Sequence, residues 1–294
     1  MPFGWVKLNL AWLLAVFALV SSAAAGEDDY IAMSVNAQSR MTVPLIVNGQ
    51  ETLSVIDTAA TFALVDDSLV SLEGDDNPPQ EILIHGLSDV NTYQVVQLDH
   101  IEIGRETLRA MPAGVVSSTD FPSHKTVIPV NAFDQRVIDF DFKRGSISLY
   151  DHRPRKAHGA ISSRLKYQEI QGLIFIPIKI NGKTGLALVD TGADISFING
   201  NFARLAKVKE REDLTRTLVG IDLDQTPVRV VSLRTVQMGS HLFSDFRVLA
   251  SDPPLFEALG VGDQPIMVLG LNGLRHFRVQ IDRRRKEVWL SRRN

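Results

Sequence analysis

The fold is decided by the stretch Leu188-Val189-Asp190-Thr191-Gly192-Ala193-Asp194-Ile195-Ser196-Phe197-Ile198, in which two apolar strands flank an Asp-Thr-Gly-Ala turn. Such a turn places the carboxylate of Asp190 where the backbone changes direction sharply. Gly192 allows a neighbouring chain to approach closely, and the exposed amides of the turn can hydrogen-bond the carboxylate and keep it ionised. The hydroxyl of Thr191 can tie this loop to a second loop of the same kind.

A second loop of this kind lies earlier in the chain. Residues 43–60 align without a gap on residues 176–193. The proline, asparagine, glycine, leucine, aspartate, threonine and final alanine of the pattern all match, so Asp57 is the counterpart of Asp190. A constant offset over such a length indicates two copies of one domain. One difference falls within the loop itself, because Ala59 stands where the second copy has Gly192.

The two loops resemble the catalytic loops of the pepsin-like and retropepsin-like aspartic proteases, which read Asp-Thr/Ser-Gly-Ala/Ser between apolar residues. The resemblance covers nearly all of the chain after residue 25, as two tandem copies. It implies a mainly β fold of two pseudo-two-fold-related β-barrel lobes of the acid-protease type, with a short helix in each. Runs rich in Val, Ile and Leu agree with a β-rich chain, and Asn48-Gly49 and Asn181-Gly182 are typical of hairpin turns.

The resemblance also implies roles for the loop residues. Asp57 and Asp190 would meet at the pseudo-two-fold axis as the catalytic pair, and carboxylates held that close share one proton and titrate together. The residues that would support the two loops are Thr58, Ala59, Thr191 and Gly192. Of these, the two threonines would lock the loops to each other.

Two hairpins resemble the flaps that fold over the active site in this family. The first comprises residues 84–89 and includes Gly86, and its counterpart comprises residues 218–223 and includes Gly220. The resemblance implies that one or both cover the cleft between the lobes. A hairpin in solvent with no role as a lid is the alternative.

A further family feature is an apolar-apolar-Gly segment that passes beneath the catalytic loop. The second copy has it as Met267-Val268-Leu269-Gly270, whereas the first copy has Val127-Ile128-Pro129-Val130. Proline has a fixed φ and cannot donate a backbone hydrogen bond. The first copy therefore departs from the family pattern twice, at Ala59 and at Pro129.

The sequence predicts a signal peptide over residues 1–25, an N-terminal lobe over 26–152 and a C-terminal lobe over 153–294. The signal peptide is indicated by Lys7, by the apolar residues 8–20 and by three alanines before an acidic run. An uncleaved anchor is the alternative, although the apolar run is short for a bilayer span. We therefore expect an exported protein, periplasmic or secreted, without membrane attachment after signal cleavage.

Composition excludes several classes of function. The absence of cysteine excludes cysteine nucleophiles, cysteine-based zinc sites and disulfides. The formal net charge of −3 becomes −4 without Lys7, which does not suit nucleic-acid binding. The chain has no His-Glu-x-x-His, Gly-x-Ser-x-Gly or phosphate-loop motif. We accordingly expect no metal, no cofactor and no nucleic-acid partner.

The function that these features favour is an exported aspartic endopeptidase. One carboxylate of the Asp57/Asp190 pair would take a proton from a bound water, which attacks the peptide carbonyl. The expected partner is an extended peptide or unfolded protein held in the cleft by main-chain hydrogen bonds, and the expected state is a monomer. Two alternatives stay open: a catalytically degenerate module that binds peptides or proteins, and an obligate homodimer in which two Asp190 loops meet.

Overall fold

The structure is a computed structural model that describes residues 29–35, 40–71, 80–86, 90–117, 124–156, 158–208, 210–219 and 225–293. The predicted signal peptide lies outside the described residues. Among the helices that are described, none combines the length and apolar content needed to cross a membrane.

The chain is mainly β, and its strands repeat in the same sequence in both copies. The strands of the first copy are β1 (Asp29–Ala32), β2 (Ser34–Val35), β3 (Met41–Val47), β4 (Gln50–Asp57), β5 (Ala63–Asp66), β6 (Glu81–His85), β7 (Val90–Ile103), β8 (Glu106–Val116), β9 (Thr126–Pro129), β10 (Val137–Asp141) and β11 (Ser146–Tyr150). Those of the second are β12 (Ala160–Lys166), β13 (Gln168–Ile170), β14 (Leu173–Ile180), β15 (Lys183–Val189), β16 (Phe197–Ile198), β17 (Glu210–Val219), β18 (Gln225–Met238), β19 (His241–Ala250), β20 (Ile266–Leu269), β21 (Arg278–Asp282) and β22 (Glu287–Arg293).

Each copy builds one 8-stranded sheet, and the two sheets have the same order strand for strand. The order is β2-β3-β4-β9-β5-β8-β7-β6 in the first lobe and β13-β14-β15-β20-β16-β19-β18-β17 in the second. Each sheet curls back on itself through a further pairing, β3 with β7 and β14 with β18. The prediction of two related barrel-like lobes is therefore confirmed.

The predicted hairpin turns are formed by residues in the left-handed region. Asn48 and Gly49 have φ of 48° and 84°, and Asn181 and Gly182 have φ of 49° and 78°. Two consecutive residues of positive φ match the right-handed twist of the flanking strands, which is why Asn-Gly is favoured there. Along β3, Val43, Leu45 and Val47 are buried at the period of two that a strand requires.

The helical segments differ between the lobes. The second lobe has three short α-helices, α1 (Gly200–Leu205), α2 (Pro254–Ala258) and α3 (Leu271–Leu274). In the first lobe the described helical segments are single 3₁₀ turns, Asp67–Leu69 and Val130–Ala132, at the places of α1 and α3. Among the described residues of the first lobe, the expected short helix is present as these 3₁₀ turns.

A third sheet joins the lobes. Its six strands run in the order β1-β11-β10-β21-β22-β12, so each copy contributes three. The two central strands are antiparallel, with Asp139 opposite Gln280. Buried ion pairs cross between the copies, with Arg136 bound to Asp282 and Arg278 bound to Asp139. These contacts fix the orientation of the lobes, and therefore of the loops at their interface.

Candidate active site

The two aspartates lie at matching strand ends. Asp57 is the last residue of β4, which pairs in parallel with β9, and Asp190 follows β15, which pairs in parallel with β20. In each copy the chain leaves the buried strand and turns back at once. The two turns face each other across the lobe interface, so the structure brings the predicted pair together.

Crossed hydrogen bonds lock the two turns. The amide of Thr58 donates to Oγ1 of Thr191 at 3.0 Å, and the amide of Thr191 donates to Oγ1 of Thr58 at 3.0 Å. Each hydroxyl also donates across the interface, from Thr58 to the carbonyl of Val189 at 2.7 Å and from Thr191 to the carbonyl of Ile56 at 2.6 Å. Both threonines are buried. Each lobe thus satisfies backbone groups of the other.

Removal of one hydroxyl should destabilise the protein. Thr191→Val keeps the shape of the side chain but leaves the amide of Thr58 and the carbonyl of Ile56 without partners. Because each buried unpaired group costs about 1–3 kcal/mol, we expect the two of them to lower the free energy of unfolding by about 2–6 kcal/mol in urea titrations. The exposed Thr107→Val is the control and should change it by less than about 0.5 kcal/mol. Equal stabilities of the two variants would show that the crossed bonds do not hold the lobes.

Backbone amides hold the two carboxylates in place. Oδ1 of Asp190 accepts from the amides of Gly192 and Ala193, each at 2.9 Å. Oδ1 of Asp57 accepts from the amide of Ala59 at 2.7 Å. The first copy has Ala59 where the second copy has Gly192, and Ala59 still supplies the backbone amide that binds the carboxylate.

The two carboxyl groups are close enough to interact electrostatically. A methyl group added at Gly192 would lie 2.7 Å from Cγ of Asp57, so Asp57 reaches across to the loop of the second lobe. Burial raises the pKa of Asp57, although the amide of Ala59 lowers it in part. Burial and the negative charge of Asp57 raise the pKa of Asp190 well above its ordinary value. Such a pair retains one proton at a pH where isolated carboxyls have lost theirs.

This retained proton predicts a pH-dependent effect of Asp190→Asn on stability. A carboxyl whose pKa is higher in the folded protein stabilises the fold below its unfolded pKa, and this stabilisation is lost as the pH rises toward the folded pKa. Asparagine does not titrate in this range, so the Asp190→Asn variant does not lose stability for this reason as the pH rises. We therefore expect Asp190→Asn to be more stable than the wild type at pH 7, by up to about 1.4 kcal/mol for each unit of pKa shift. Urea titrations at pH 3.5 and pH 7 test this, and a stability difference that does not grow with pH would contradict it.

The comparison with known families agrees with this geometry. A family model described as aspartyl protease matches residues 43–129 and 176–272, which together make up more than half of the chain. The chain belongs to the aspartyl protease family. The two matches fall in the two lobes, so this family member carries two retropepsin-like copies in tandem, as the sequence predicted. A comparison with curated proteins finds no match.

The first departure from the family pattern, Ala59, fits its surroundings. The backbone at Ala59 does not have positive φ, so a methyl group is not strained there. Its side chain is half-buried and packs on an apolar cluster of the second lobe that includes Leu173 and Phe197. Ala59 thus adds an apolar contact between the lobes.

The second departure, Pro129, is matched by another change in the same copy. In the second lobe the amide of Gly270 donates to Oγ of Ser196 at 3.0 Å, and a methyl at Gly270 would lie 2.7 Å from the carbonyl of Ala193. The counterpart of Ser196 in the first lobe is Ala63, which has no acceptor. Pro129 therefore leaves no side-chain acceptor unpaired, and β9 forms normally up to it, with Pro129 beside Asp57.

The predicted flap of the first lobe is formed by β6 and β7. Ile84, near its tip, packs with Tyr93 on a small cluster that also includes Ala60 of the Asp57 loop, and Gly86 is half-buried. Helix α2 of the second lobe contacts β6. In the second lobe β17 and β18 form the corresponding hairpin, but Gly220 and the rest of its tip lie outside the described residues, as do residues 87–89 of the first flap.

One charged contact near the pair was not predicted from the sequence. Arg40, just before β3, lies with its Nε 3.8 Å from Oδ2 of Asp194, which follows Asp190 by four residues. The available signal was the difference between the copies, because Asp194 corresponds to Thr61 and Arg40 corresponds to Leu173. Among the described residues, no three histidine, aspartate or glutamate side chains are placed to share a metal ion.

Proposed function

We propose that this protein is an aspartic endopeptidase that hydrolyses peptide bonds with Asp57, Asp190 and a bound water. The observation that carries the proposal is the pair of crossed threonine bonds, because they hold together the two loops that carry Asp57 and Asp190 within one chain. General acid–base chemistry requires groups within hydrogen-bond reach of one reacting atom. The matching loops of the two lobes, bound to each other in this way, support such an arrangement at the lobe interface.

In the proposed reaction the pair carries one proton. The ionised carboxylate takes a proton from the water, whose oxygen attacks the peptide carbonyl. The protonated carboxyl donates a hydrogen bond to the carbonyl oxygen, and a proton then passes to the leaving nitrogen. Raised pKa values support this arrangement, since they extend the pH range over which one proton is shared.

An extended peptide or unfolded protein is the substrate class that the surroundings favour. Ala59, Ala60 and Ile195 of the two aspartate loops pack on apolar clusters, as does Ile84 of the first flap, so apolar groups would line the cleft expected between the lobes. Such a cleft suits a peptide bound in strand conformation. We further propose that the protein is exported and acts as a monomer, since both aspartates come from one chain.

The proposal is tested with the purified protein and a quenched fluorogenic peptide library over the range from acidic to neutral pH. We expect cleavage that is blocked by peptides carrying a transition-state-mimicking hydroxyl and is unaffected by chelators or serine-directed reagents. Binding of such peptides without any cleavage would instead support the degenerate binding module. Inhibition by chelators alone would overturn the aspartic mechanism.

A further inference from the structure

A pocket of about 400 Å³ opens at the sheet that joins the lobes. Its walls are the end of β10 with the turn that follows, the segment from α3 into β21, and the end of β22. The register places Arg278 of β21 opposite Asp141 of β10 on one side and Ser291 of β22 on the other, so the three strands meet here. A pocket of this volume lies within the range typical of small-molecule sites.

The lining of this pocket is strongly positive, although the whole chain has a formal net charge of −3. Its charged side chains, among the described residues, are five cations and one carboxylate: Lys143, Arg144, Arg275, Arg278, Arg292 and Asp141. None of them belongs to the two aspartate loops or to the flaps. The positive charge is therefore concentrated at a place that the proposed hydrolysis does not use.

Two of these cations have carboxylate partners. Nε of Arg144 lies 3.8 Å from Oδ2 of Asp141. Nε of Arg278 donates to Oδ1 of Asp139 at 2.8 Å, in one of the ion pairs that join the copies. The charges of Arg144 and Arg278 are thus offset within the protein.

The other three cations have no carboxylate partner in the part of the chain that the structure describes: Lys143, Arg275 and Arg292. The guanidinium of Arg292 lies over the ring of Phe243, 5.3 Å from its centroid, and the ring of His276 lies 5.7 Å from the same ring. Burial and the charges of Arg292 and Arg275 lower the pKa of His276, so both positive charges act at this point. The side chains of Lys143 and Arg275 are exposed and accessible to a ligand.

The chemistry of these side chains indicates the kind of ligand. Charges of one sign repel each other, and an anion bound among them relieves that repulsion. Arginine can bind a phosphate group through two parallel N–H donors, and lysine binds it as a point charge. A phosphate monoester carries about two negative charges near pH 7, and a diphosphate carries more, whereas a carboxylate carries a single charge. Three cations without partners therefore match a phosphate or diphosphate group better than one carboxylate.

We propose that this pocket binds a small ligand through a phosphate or diphosphate group, held by Lys143, Arg275 and Arg292. A soluble phosphate compound and the headgroup of a phospholipid both present this chemistry. The site goes beyond the proposed peptide hydrolysis, and binding there requires neither Asp57 nor Asp190.

Calorimetric titration of the purified protein with sodium pyrophosphate, at constant ionic strength, tests the site. We expect saturable binding of one pyrophosphate per chain. Arg275→Gln and Lys143→Gln should each weaken it by about tenfold or more, the usual effect of losing one hydrogen bond to a charged group. Both side chains are exposed, so the fold should persist, which urea titration checks. The matched control is Arg234→Gln, an exposed arginine of β18 that does not line the pocket, and it should change the affinity by less than about twofold.

Absence of pyrophosphate binding by the wild type, or equal affinities of Arg275→Gln and Arg234→Gln, would overturn the proposal. Citrate that binds as tightly as pyrophosphate at the same ionic strength would overturn the assignment to phosphate. Sedimentation with vesicles of phosphatidylcholine that contain phosphatidic acid, against vesicles of phosphatidylcholine alone, distinguishes the two sources. Sedimentation of the wild type but not of Arg275→Gln assigns the phosphate to a lipid headgroup, and pyrophosphate binding without sedimentation assigns it to a soluble compound.

Discussion

Asp190→Asn and Asp57→Asn should each lower kcat/KM for peptide hydrolysis by about 10²- to 10⁴-fold, the usual contribution of a general acid or base. Asparagine can still accept the loop amides, such as that of Gly192 at 2.9 Å, so the fold should remain intact. It cannot exchange a proton with the bound water. The two variants should lose activity to a similar extent, because the pair works with one shared proton.

The control is Asp245→Asn, at an exposed position of β19 where φ is 52° and asparagine is well tolerated. Its kcat/KM should stay within about twofold of the wild type, since surface changes of this kind have little effect. Undiminished cleavage by Asp190→Asn would end the aspartic mechanism. Loss in Asp190→Asn alone, with Asp57→Asn fully active, would favour a dimer in which two Asp190 loops meet.

Gly192→Ala should have the second largest effect. The added methyl would lie 2.7 Å from Cγ of Asp57 and closer still to Oδ2, so either the carboxylate or the loop must move. The crossed threonine bonds resist movement of the loop, which leaves the carboxylate to shift. A displacement of about 1 Å can lower a rate by about a hundredfold, and we expect a loss of that order in kcat.

Ala59→Gly is the matched control, because it changes the same position of the other copy in the opposite direction. The φ at Ala59 is not positive and its methyl packs on the second lobe, so removal should change activity by less than about tenfold. A Gly192→Ala variant as active as the wild type would show that the loops are not rigid. An inactive parent that gains activity through Ala59→Gly would show that the natural protein is a binding module.

Local sequence signals predicted most of the fold. The matching Asn-Gly turns, the runs rich in Val, Ile and Leu and the repeated Asp-Thr pattern each indicate local geometry, and together they predicted the two lobes and the two facing loops. The crossed hydrogen bonds also follow from the repeat, because Thr58 and Thr191 are related by the same pseudo-two-fold axis. The limits of the two lobes, drawn at residues 152 and 153, stay a prediction within the irregular segment between β11 and β12.

The remaining features depend on contacts between residues far apart in sequence. Pro129 read alone indicated a defect. Only the structure shows that the amide of Gly270 donates to Ser196 in the second copy, and Ala63, the counterpart of Ser196, offers no such acceptor to the first. The Arg40–Asp194 pair has no local pattern at all. It arises because the lobes close on each other, and its presence on one side follows from unequal divergence of the two copies.

Titration of the purified protein with a tight-binding hydroxyl-containing peptide mimic, with the molar mass of the complex measured in parallel, tests whether one chain forms the complete site. In the proposed enzyme, Asp57 and Asp190 of the same chain form one site. Hydrolytic activity should therefore reach zero at one inhibitor per chain, on a monomer. Complete inhibition at one inhibitor per two chains, on a dimer, would contradict it.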